Sequence, residues 1–355
     1  MSGPPTITVE QLAAPVPGGI ATYTRGLLQG LRELGVEPAL AGSRPARDVA
    51  AGGEAIDPLH LRHRATTALW HRGLGRERTG VVHATSLSCP PVSGEAFLSV
   101  MVHDLAWRAS PTLTSSRGAR WHEAALGRVL SRANALTVPS APVADDLVAA
   151  GADPDLVHVV GEGADHLPEP DLDGADALRA ARGSSRPFML VAGTLEPRKN
   201  LSATVSAYRA SGLCGDGVDL CIVGPSGWGD RDDLDAEGVH LLGGVEADVL
   251  HGLYRRAEAL VYLPLAEGFG LPPVEAMAAG TPVLASTAVP SVAGASGTAA
   301  LVVDPTDLEA MALAMGGIGR DVELRQRLAL GGSQFVADKR WRDVALRHLK
   351  LWGLA

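Results

Sequence analysis

Lysine is nearly absent from this sequence. Lys199, Lys339 and Lys350 are the only three, so arginine supplies almost all of the 31 basic residues. Basic residues are in turn outnumbered by 40 acidic ones, which gives a formal net charge of -9 at pH 7. A general nucleic-acid-binding protein is expected to carry a basic surface, so this charge balance argues against that class.

Cysteine and long apolar runs are scarce as well. Cys89, Cys214 and Cys221 are scattered, odd in number and form no CxxC pair, which indicates reduced thiols in a cytosolic protein. No apolar run approaches the roughly 20 residues needed to span a bilayer. The first five residues lack the basic and apolar segments of a signal peptide. We therefore expect a cytoplasmic protein, and peripheral contact with the inner face of the membrane stays open.

The abundant features indicate a two-domain α/β protein. Hydrophobic residues make up 46% of the 355 positions, which is enough for each half to bury its own core. Strand-like and helix-like segments alternate in both halves, and this rhythm predicts two parallel sheets with right-handed crossovers. We expect a first domain at residues 1–166, a connection at 167–186 and a second domain at 187–339.

The stretch from Glu267 to Glu275 is the most informative part of the chain. A strand-like run at 259–263 precedes it, and a short helix is predicted at 272–279, with Gly280 just past its end. The turn between strand and helix can bring both carboxylates towards one pocket above the helix N-terminus. That terminus offers unpaired N–H groups to a phosphate, while carboxylates suit sugar hydroxyls. The pattern predicts a ligand that contains both.

Three further pairs of residues follow predicted strands. Gly18-Gly19 follows the first strand, where glycine allows a backbone to approach a ligand closely, although a plain turn is the alternative. His103-Asp104 lies at the carboxyl end of a strand at 97–102, where ligands of open α/β sheets bind. Arg198-Lys199 lies between a strand and a helix, where two cations can meet a diphosphate. The alternative for this last pair is a solvated basic surface.

These motifs together resemble the retaining glycosyltransferases of family 4, in particular bacterial mannosyltransferases of polysaccharide assembly. Glu267 to Glu275 matches the E-x7-E signature of that family, and Gly18 to Tyr23 is similar to its N-terminal glycine loop. Val102 to Asp104 resembles its central histidine, and Gly193 to Asn200 its diphosphate-binding loop. The motifs occur in the family's order and cover nearly the whole chain.

The resemblance implies a fold and an activity. The implied fold is GT-B, with two Rossmann-like domains facing across a cleft and a C-terminal helix, at about 340–355, that crosses back to the first domain. The implied activity is the retaining transfer of a sugar from a nucleotide-sugar donor, with GDP-mannose as the first choice, to a glycan, lipid-linked or small-molecule acceptor. The nucleotide-sugar is a substrate, so no cofactor is expected, and GT-B enzymes do not depend on a metal.

The resemblance also implies roles for individual residues. Glu267 would contact the transferred sugar, His103 would approach it near the anomeric carbon, and Glu275 would hold the ribose hydroxyls. The catalytic set would be His103, Glu267, Arg198 and Lys199, with the two cations on the leaving diphosphate. The other donor-binding positions would be Gly18, Gly19, Thr194, Phe269, Gly270 and Leu271.

The chain departs from the family pattern at two positions. Ser291 stands where relatives often carry the glutamate of a Pro-Glu-Val sequence, so the role of that glutamate is not transferred. Thr194 stands where many relatives have arginine. One diphosphate cation is therefore either missing or replaced by Arg198.

Several alternatives remain at this stage. A UDP-sugar donor, a nucleotide-sugar epimerase of the same fold, and a non-catalytic sugar-nucleotide-binding subunit are the other functions considered. A phosphorylase would need a cofactor-bearing lysine, for which the three lysines offer no convincing candidate. The basic segment 59–80 is either a surface for an anionic acceptor or, as we favour, a solvated, partly helical insertion. The acidic patches at 171–173 and 230–233 are expected to be solvated, and the three histidines between 60 and 71 lack the spacing of a zinc site.

Overall fold

A computed structural model of the protein describes residues 3–14, 18–51, 59–109, 116–227 and 234–355. The chain divides into two compact units, the first formed by residues 1–166 together with 340–355 and the second by residues 167–339. Each unit contains one six-stranded sheet, and all strand pairs in both sheets are parallel. The predicted α/β class with two parallel sheets is confirmed.

The first unit begins with a strand and ends with the last helix of the chain. Its strands are β1 (Thr6–Thr8), β2 (Ala39–Ala41), β3 (Val81–Ala84), β4 (Phe97–Met101), β5 (Ala135–Val138) and β6 (Val157–Val159). Its helices are α1 (Gly19–Glu33), α2 (Arg44–Ala50), α3 (Leu59–His71), α4 (Ala106–Ala109), α5 (Ser116–Leu130), α6 (Ala141–Ala149) and, at the end of the chain, α13 (Trp341–Leu351). Short 3-10 helices lie at Glu10–Ala13 and Pro154–Leu156.

The strand order of the first sheet is β2-β1-β3-β4-β5-β6. Strand β1 therefore lies between β2 and β3, so the order in which successive strands join the sheet reverses beside β1. β2 begins at Ala39, directly after Pro38. Proline has no N–H group to donate to the ladder, which explains why the strand starts only after it.

The last helix packs within the first unit, as the resemblance implies. α13 contacts α1, and its first residue, Trp341, is fully buried. A Cβ atom at Gly26 or Gly30 of α1 would collide with Trp341, so the two glycines allow the helices to approach closely. The backbone N–H of Trp341 also donates to Asp165 Oδ1 at 2.9 Å. These contacts confirm the predicted return of the chain to its first unit.

The second unit repeats the strand-and-helix alternation. Its strands are β7 (Phe188–Ala192), β8 (Asp219–Val223), β9 (Val239–Gly243), β10 (Ala259–Tyr262), β11 (Val283–Ser286) and β12 (Leu301–Val303). Its helices are α7 (Leu172–Ala181), α8 (Leu201–Ser211), α9 (Ala247–Arg256), α10 (Leu271–Ala278), α11 (Leu308–Arg320) and α12 (Val322–Val336). Short 3-10 helices lie at Pro197–Lys199 and Pro290–Val292. Residues 167–186, expected as a connection, thus include α7, which packs on α9.

The strand order of the second sheet is β12-β11-β10-β7-β8-β9. Strand β7 pairs with β8 on one side and with β10 on the other. The order in which successive strands join the sheet therefore reverses between β7 and β10. The central strands are buried along their whole length, as expected for a parallel sheet with helices on both faces. Such a point of reversal leaves a crevice at the carboxyl ends of its two strands, where ligands of open α/β sheets bind.

Candidate active site

The predicted site residues of the second unit lie at this point of reversal. The loop after β7 carries Thr194, Arg198 and Lys199, and the loop after β10 carries Glu267. The two loops are joined directly, because the N–H of Leu265 donates to the carbonyl of Arg198 at 2.9 Å. The topology of the sheet therefore brings together residues that are almost seventy positions apart in the sequence.

The loop after β7 depends on glycine. Gly193 has a φ of +149°, and its N–H donates to Val223 O at 3.0 Å. A Cβ atom at Gly193 would lie 3.5 Å from Cε of Lys199, so the loop passes close beneath the lysine side chain. Asn200 follows in the left-handed region with a φ of +57°. Asparagine is a favoured N-cap residue, but the side chain of Asn200 does not cap α8 and donates instead to Pro305 O at 2.9 Å.

Glu267 is the centre of an ionic network. Its Oε2 accepts a hydrogen bond from Nη1 of Arg198 at 3.2 Å, and its Oε1 accepts one from Nζ of Lys199. Arg198 also donates from Nε and Nη2 to Oε1 of Glu196, at 3.1 and 2.9 Å. Two cations and two carboxylates thus form a cluster whose formal charges cancel. The side chain of Glu267 is 8% exposed, so this cluster is largely shielded from solvent.

Tyr262, the last residue of β10, completes the network. Its hydroxyl accepts from Nζ of Lys199 and donates to Oε1 of Glu267, both at 2.8 Å. Burial, followed by the charge of Glu267, holds the pKa of Tyr262 well above its usual value. Burial alone would raise the pKa of Glu267, but the attraction of Lys199 and Arg198 outweighs it and the pKa is lowered. Glu267 is therefore an anion and Tyr262 a neutral donor.

The second glutamate of the motif has a tyrosine partner of its own. Oε2 of Glu275, in α10, accepts a hydrogen bond from the hydroxyl of Tyr254 in α9 at 2.8 Å. Burial and the neighbouring Glu275 hold the pKa of Tyr254 well above its usual value. The charge of Glu275 also contributes to the raised pKa of Tyr262. Both glutamates therefore contribute to the electrostatics around Tyr262.

The turn between the glutamates requires glycine and is supported by a serine. Gly270 has a φ of +90°, and a Cβ atom there would lie 2.6 Å from Cγ1 of Val289. Ser291 donates its N–H to Phe269 O at 2.8 Å and its hydroxyl to Gly270 O at 2.6 Å. Leu271 begins α10, so the positive end of that helix lies at the turn. Ser291, at the position where relatives often carry glutamate, thus supports the turn that leads into α10.

The predicted residues of the first unit lie on the carboxyl edge of its sheet. His103 follows β4, and its Nε2 lies 3.0 Å from Thr85 O, while its Nδ1 lies 3.5 Å from Oε1 of Glu162. Gly18 is the N-cap of α1, and Gly19 is its first residue. A Cβ atom at either glycine would meet nothing within 4 Å. Packing against the described residues of the first unit therefore does not explain these two glycines.

The other polar clusters considered from the sequence have structural partners. Asp171 caps α7 by accepting the N–H of Gly174 at 2.9 Å, whereas residues 230–233 lie outside the described part of the chain. His63 and His71 contact Glu10 and Arg128, and the side chain of His60 also lies outside that part. Among the residues that the structure describes, no group of three or more His, Cys, Asp or Glu side chains is arranged to hold a metal ion.

Comparison with known protein families accounts for most of the chain. Residues 17–166 match the model of Glycosyltransferase Family 4, and residues 177–334 match that of Glycosyl transferases group 1. The chain therefore carries glycosyltransferase domains of family 4 and of group 1. The two matches correspond to the two structural units, and together they include every residue that the sequence motifs predict for the site.

Curated relatives of this glycosyltransferase are bacterial mannosyltransferases. The O-antigen chain mannosyltransferase B of Escherichia coli is 34% identical over a region that covers 41% of this chain and 40% of that protein. The MMP alpha-(1->4)-mannosyltransferase of Mycolicibacterium hassiacum is 32% identical over 62% of this chain and 54% of that protein. The chain thus matches only about half, or less, of the length of these two relatives.

Solved structures show the same fold over the full chain. The crystal structure of Anabaena Alr3699/HepE in complex with UDP and glucose aligns with a TM-score of 0.70 and 16% identity, and the alignment covers 99% of this chain and 100% of that one. This likeness establishes the GT-B fold of the glycosyltransferase. No helix in the described residues is both long enough and apolar enough to cross a membrane.

Sequence reasoning assigned no role to several residues that hold the candidate site together. They are Glu162, Glu196, Tyr254, Tyr262 and, as a support of the turn, Ser291. Two of them could have been found, because Tyr262 ends the strand before Glu267 and Glu196 lies two residues before Arg198. Tyr254 and Glu162 contact the predicted residues only through tertiary packing, for which the sequence carries no local signal.

Proposed function

We propose that this protein transfers a sugar from a nucleotide-sugar donor to a hydroxyl-bearing acceptor, with retention of configuration at the anomeric carbon. The observation that carries the proposal is the network of Glu267, Arg198 and Lys199 at the point of reversal of the second sheet. Cations serve a diphosphate and a carboxylate serves sugar hydroxyls, so the network matches both halves of a nucleotide-sugar.

The charge balance of the network suggests how a donor would bind. Without a ligand, Glu196 and Glu267 neutralise Arg198 and Lys199. A diphosphate would compete with these carboxylates for the two cations, and Glu267 would then turn its acceptor oxygens to the sugar. As the bond to the sugar breaks, negative charge grows on the leaving diphosphate. Arg198 and Lys199 would stabilise that charge from positions that are already fixed.

The position of Glu267 favours a binding role over a nucleophilic one. Lys199 and Tyr262 bond to its Oε1, and Arg198 bonds to its Oε2. A carboxylate held in this way is a weak nucleophile, because its charge is already shared with two cations and a hydroxyl. The arrangement thus supports a retaining reaction in which the acceptor attacks on the face that the diphosphate leaves.

The remaining donor contacts follow from the placement of each residue. Glu275 would accept hydrogen bonds from the ribose hydroxyls, while Tyr254 orients its carboxylate. The backbone N–H groups of Phe269, Gly270 and Leu271 at the start of α10 would meet phosphate or sugar oxygens, and Thr194 would line the loop after β7. From the first unit, His103 would contact the sugar, and Gly18 and Gly19 would leave room for phosphates or acceptor.

We propose GDP-mannose as the donor and a glycan, lipid-linked or small-molecule acceptor, with action in the cytoplasm or at the inner face of the membrane. The names of the curated relatives, which are mannosyltransferases, support mannose. A UDP-sugar is the second candidate, and the Anabaena structure with UDP and glucose favours it. No cofactor or metal takes part in the proposed reaction.

The experiment that tests this function is a donor panel. Thermal unfolding would be followed with GDP, UDP, dTDP and their mannose or glucose derivatives, because a ligand that binds the native state raises the unfolding temperature. The stabilising donor would then be incubated with and without mannose acceptors, and NMR of the product would give the anomeric configuration. An α-linked product from GDP-α-mannose is expected. Conversion of the donor sugar without an acceptor would instead identify an epimerase, and binding without turnover a non-catalytic subunit.

A further inference from the structure

Asparagine occurs only twice in the chain, as Asn134 and Asn200. Asn200 directly follows Arg198 and Lys199 and separates their short 3-10 helix from α8. It is the only residue other than glycine with a positive φ in the described parts of the chain. The left-handed region is unfavourable for most side chains, and asparagine is one of the few that tolerate it. The backbone at position 200 therefore has a conformation that few residues would keep.

The backbone of Asn200 ends one helix and starts the next. Its N–H donates to Pro197 O at 3.1 Å and closes the 3-10 turn that carries the two cations. Its carbonyl accepts the N–H of Thr204 at 3.0 Å and the Thr204 hydroxyl at 2.9 Å, at the start of α8. The left-handed conformation between these bonds sets the angle between the turn and α8. A change of φ at this position would therefore move Arg198 and Lys199 relative to the helix.

The side chain of Asn200 anchors this loop to another strand end. Its Nδ2 donates to Pro305 O at 2.9 Å, in the loop after β12. That loop is itself held in place, because Asp304 accepts the N–H of Thr306 at 2.8 Å and the Thr306 hydroxyl at 2.6 Å, and Pro305 is buried. A side chain that is bonded to a fixed carbonyl resists rotation of its own backbone. The bond to Pro305 O therefore helps to keep Asn200 in its left-handed conformation.

Two bonds to other loops thus hold the cationic turn, one on each side of Lys199 in the sequence. The N–H of Leu265, in the loop after β10, donates to Arg198 O at 2.9 Å, and Asn200 donates to the loop after β12. Above this backbone, Arg198 and Lys199 both reach the carboxylate of Glu267. Arginine and lysine side chains are long and flexible, so they meet one diphosphate in a defined geometry only if the backbone that carries them is fixed.

We propose that Asn200 is a positioning residue for Arg198 and Lys199. Its left-handed backbone and its bond to Pro305 O hold the turn in the arrangement in which both cations meet a diphosphate. The inference rests on the proposed binding of a diphosphate by these cations. When the bond to Pro305 O is lost, the turn also adopts other arrangements, and the apparent affinity falls in proportion to the fraction of molecules that keep the competent one.

Hydrogen exchange tests the positioning without any ligand. Asn200→Gly still adopts a positive φ but removes the amide that bonds to Pro305 O. The N–H of Leu265 reports on the turn, because its acceptor is Arg198 O. We expect exchange at Leu265, followed by NMR of the free protein, to become about fivefold faster in Asn200→Gly. Unchanged exchange at Leu265 would overturn the proposal, since the turn would then keep its place without the bond.

Calorimetry with inorganic pyrophosphate and with GDP, or UDP if the donor panel selects it, measures the effect on the cations. Asn200→Gly should weaken both ligands about fivefold. Asn200→Ala should weaken them further, because alanine loses the bond and also disfavours the left-handed backbone. Asn134→Gly is the matched control, since the side chain of Asn134 also bonds to a distant backbone group, the N–H of Leu98 at 2.8 Å, but lies in the first unit. It should lower thermal stability and leave both affinities unchanged.

The same variants distinguish positioning from a general loss of stability. A residue with a structural role alone would lower the unfolding temperature in Asn200→Gly without changing either affinity, and that result would contradict the proposal. Equal losses of affinity in Asn134→Gly and Asn200→Gly would contradict it as well. If neither pyrophosphate nor a nucleotide binds the wild-type protein, the proposed function fails, and exchange at Leu265 still decides whether Asn200 fixes the turn.

Discussion

The two sheets present different chemistry at their carboxyl edges. In the second unit the edge carries full charges, with Arg198 and Lys199 held between Glu196 and Glu267. In the first unit the edge carries hydroxyl and carbonyl groups of Thr8 and Thr85, and His103 with Glu162 supplies the titratable pair. Both edges are built from parallel strands, so the difference comes from the residues at the strand ends and in the loops that follow.

The difference matches the two halves of the proposed transfer reaction. A charged network whose partners can be exchanged suits a diphosphate, which must be bound and then stabilised as it leaves. An edge of hydroxyl and carbonyl groups with one imidazole and one carboxylate suits sugar hydroxyls, which need both donors and acceptors. The comparison predicts that activity will be most sensitive to substitutions that change charge in the second unit. In the first unit it will be most sensitive to isosteric substitutions.

The largest expected effect comes from removing the central carboxylate of the second unit. Glu267→Ala should lower kcat for sugar transfer by about 10²-fold or more, because the sugar loses its acceptor and the two cations lose their shared partner. Steady-state kinetics on the folded variant would measure this loss. Glu196→Gln is the matched control, since Glu196 contacts only the Arg198 side of the network and should cost a few-fold. Equal losses in both variants would contradict the claim that Glu267 contacts the sugar, whereas Glu196 only balances charge.

The turn between the two glutamates should be the next most sensitive element. Gly270→Ala is expected to lower the free energy of unfolding by about 3 kcal/mol, because the added Cβ would meet Val289 and φ is positive. Gly280 has a φ of +80° but open space around it, so Gly280→Ala should cost only about 1 kcal/mol. Chemical denaturation of both variants measures the difference. Equal costs would show that the turn is not packed as described.

The two tyrosines should separate the roles of the two glutamates. Tyr262→Phe removes a hydroxyl that contacts both Lys199 and Glu267, and we expect kcat/KM to fall about tenfold, which corresponds to roughly 1.4 kcal/mol. Tyr254→Phe loosens Glu275 and should raise the donor KM while leaving kcat nearly unchanged. Kinetics over a range of donor concentrations distinguish the two outcomes. A fall in kcat for Tyr254→Phe would place Glu275 at the reacting sugar instead.

The smallest effect is a difference in acid sensitivity between the units. Burial and the neighbouring Arg347 lower the pKa of His348 to about 3, so the folded first unit excludes a proton that the unfolded chain binds near its ordinary pKa of 6.5. The stability that the neutral His348 contributes to the folded state is fully present above pH 6.5 and is lost as the pH falls towards 3. Glu267 has a lowered pKa, so its contribution is present above its ordinary value of 4.5 and is lost only below it.

Between pH 7.5 and 5.5 the first unit should therefore lose about 1 kcal/mol of stability through His348, while the second unit loses little through Glu267. Hydrogen exchange of peptides from each unit would measure the two separately. His348→Gln keeps a donor near Tyr23 but cannot titrate, so it should reduce the pH dependence of the first unit. Equal acid sensitivity of both units would argue against this assignment.

Much of this architecture could be predicted from the sequence. The apolar runs that end in Ala192 and Tyr262 are strong strand signals, and glycine and proline mark the start of α10. Local pattern also placed Arg198, Lys199, Glu267 and Glu275 after strands, and a parallel sheet brings such positions to one edge.

The partners of those residues could not be predicted from local pattern. The bond between Tyr254 and Glu275 depends on how α9 packs beside α10, and the place of Glu162 depends on Trp341, almost 180 residues later. Asn200 shows the same limit at short range. It lies at a helix start, where its side chain is expected to cap, but tertiary contact with Pro305 decides its bond.

The central claim is that Arg198 and Lys199 bind the diphosphate of a nucleotide-sugar and that Glu267 binds its sugar. Calorimetry tests this claim most directly. GDP and GDP-mannose, or the corresponding UDP ligands if the donor panel selects them, would be titrated into wild type, Lys199→Met and Glu267→Gln. The account predicts that Lys199→Met weakens both ligands about equally, whereas Glu267→Gln weakens the nucleotide-sugar about tenfold and does not weaken the diphosphate, which no longer competes with Glu267 for the cations. Equal effects of Glu267→Gln on both ligands, or none on either, would contradict it.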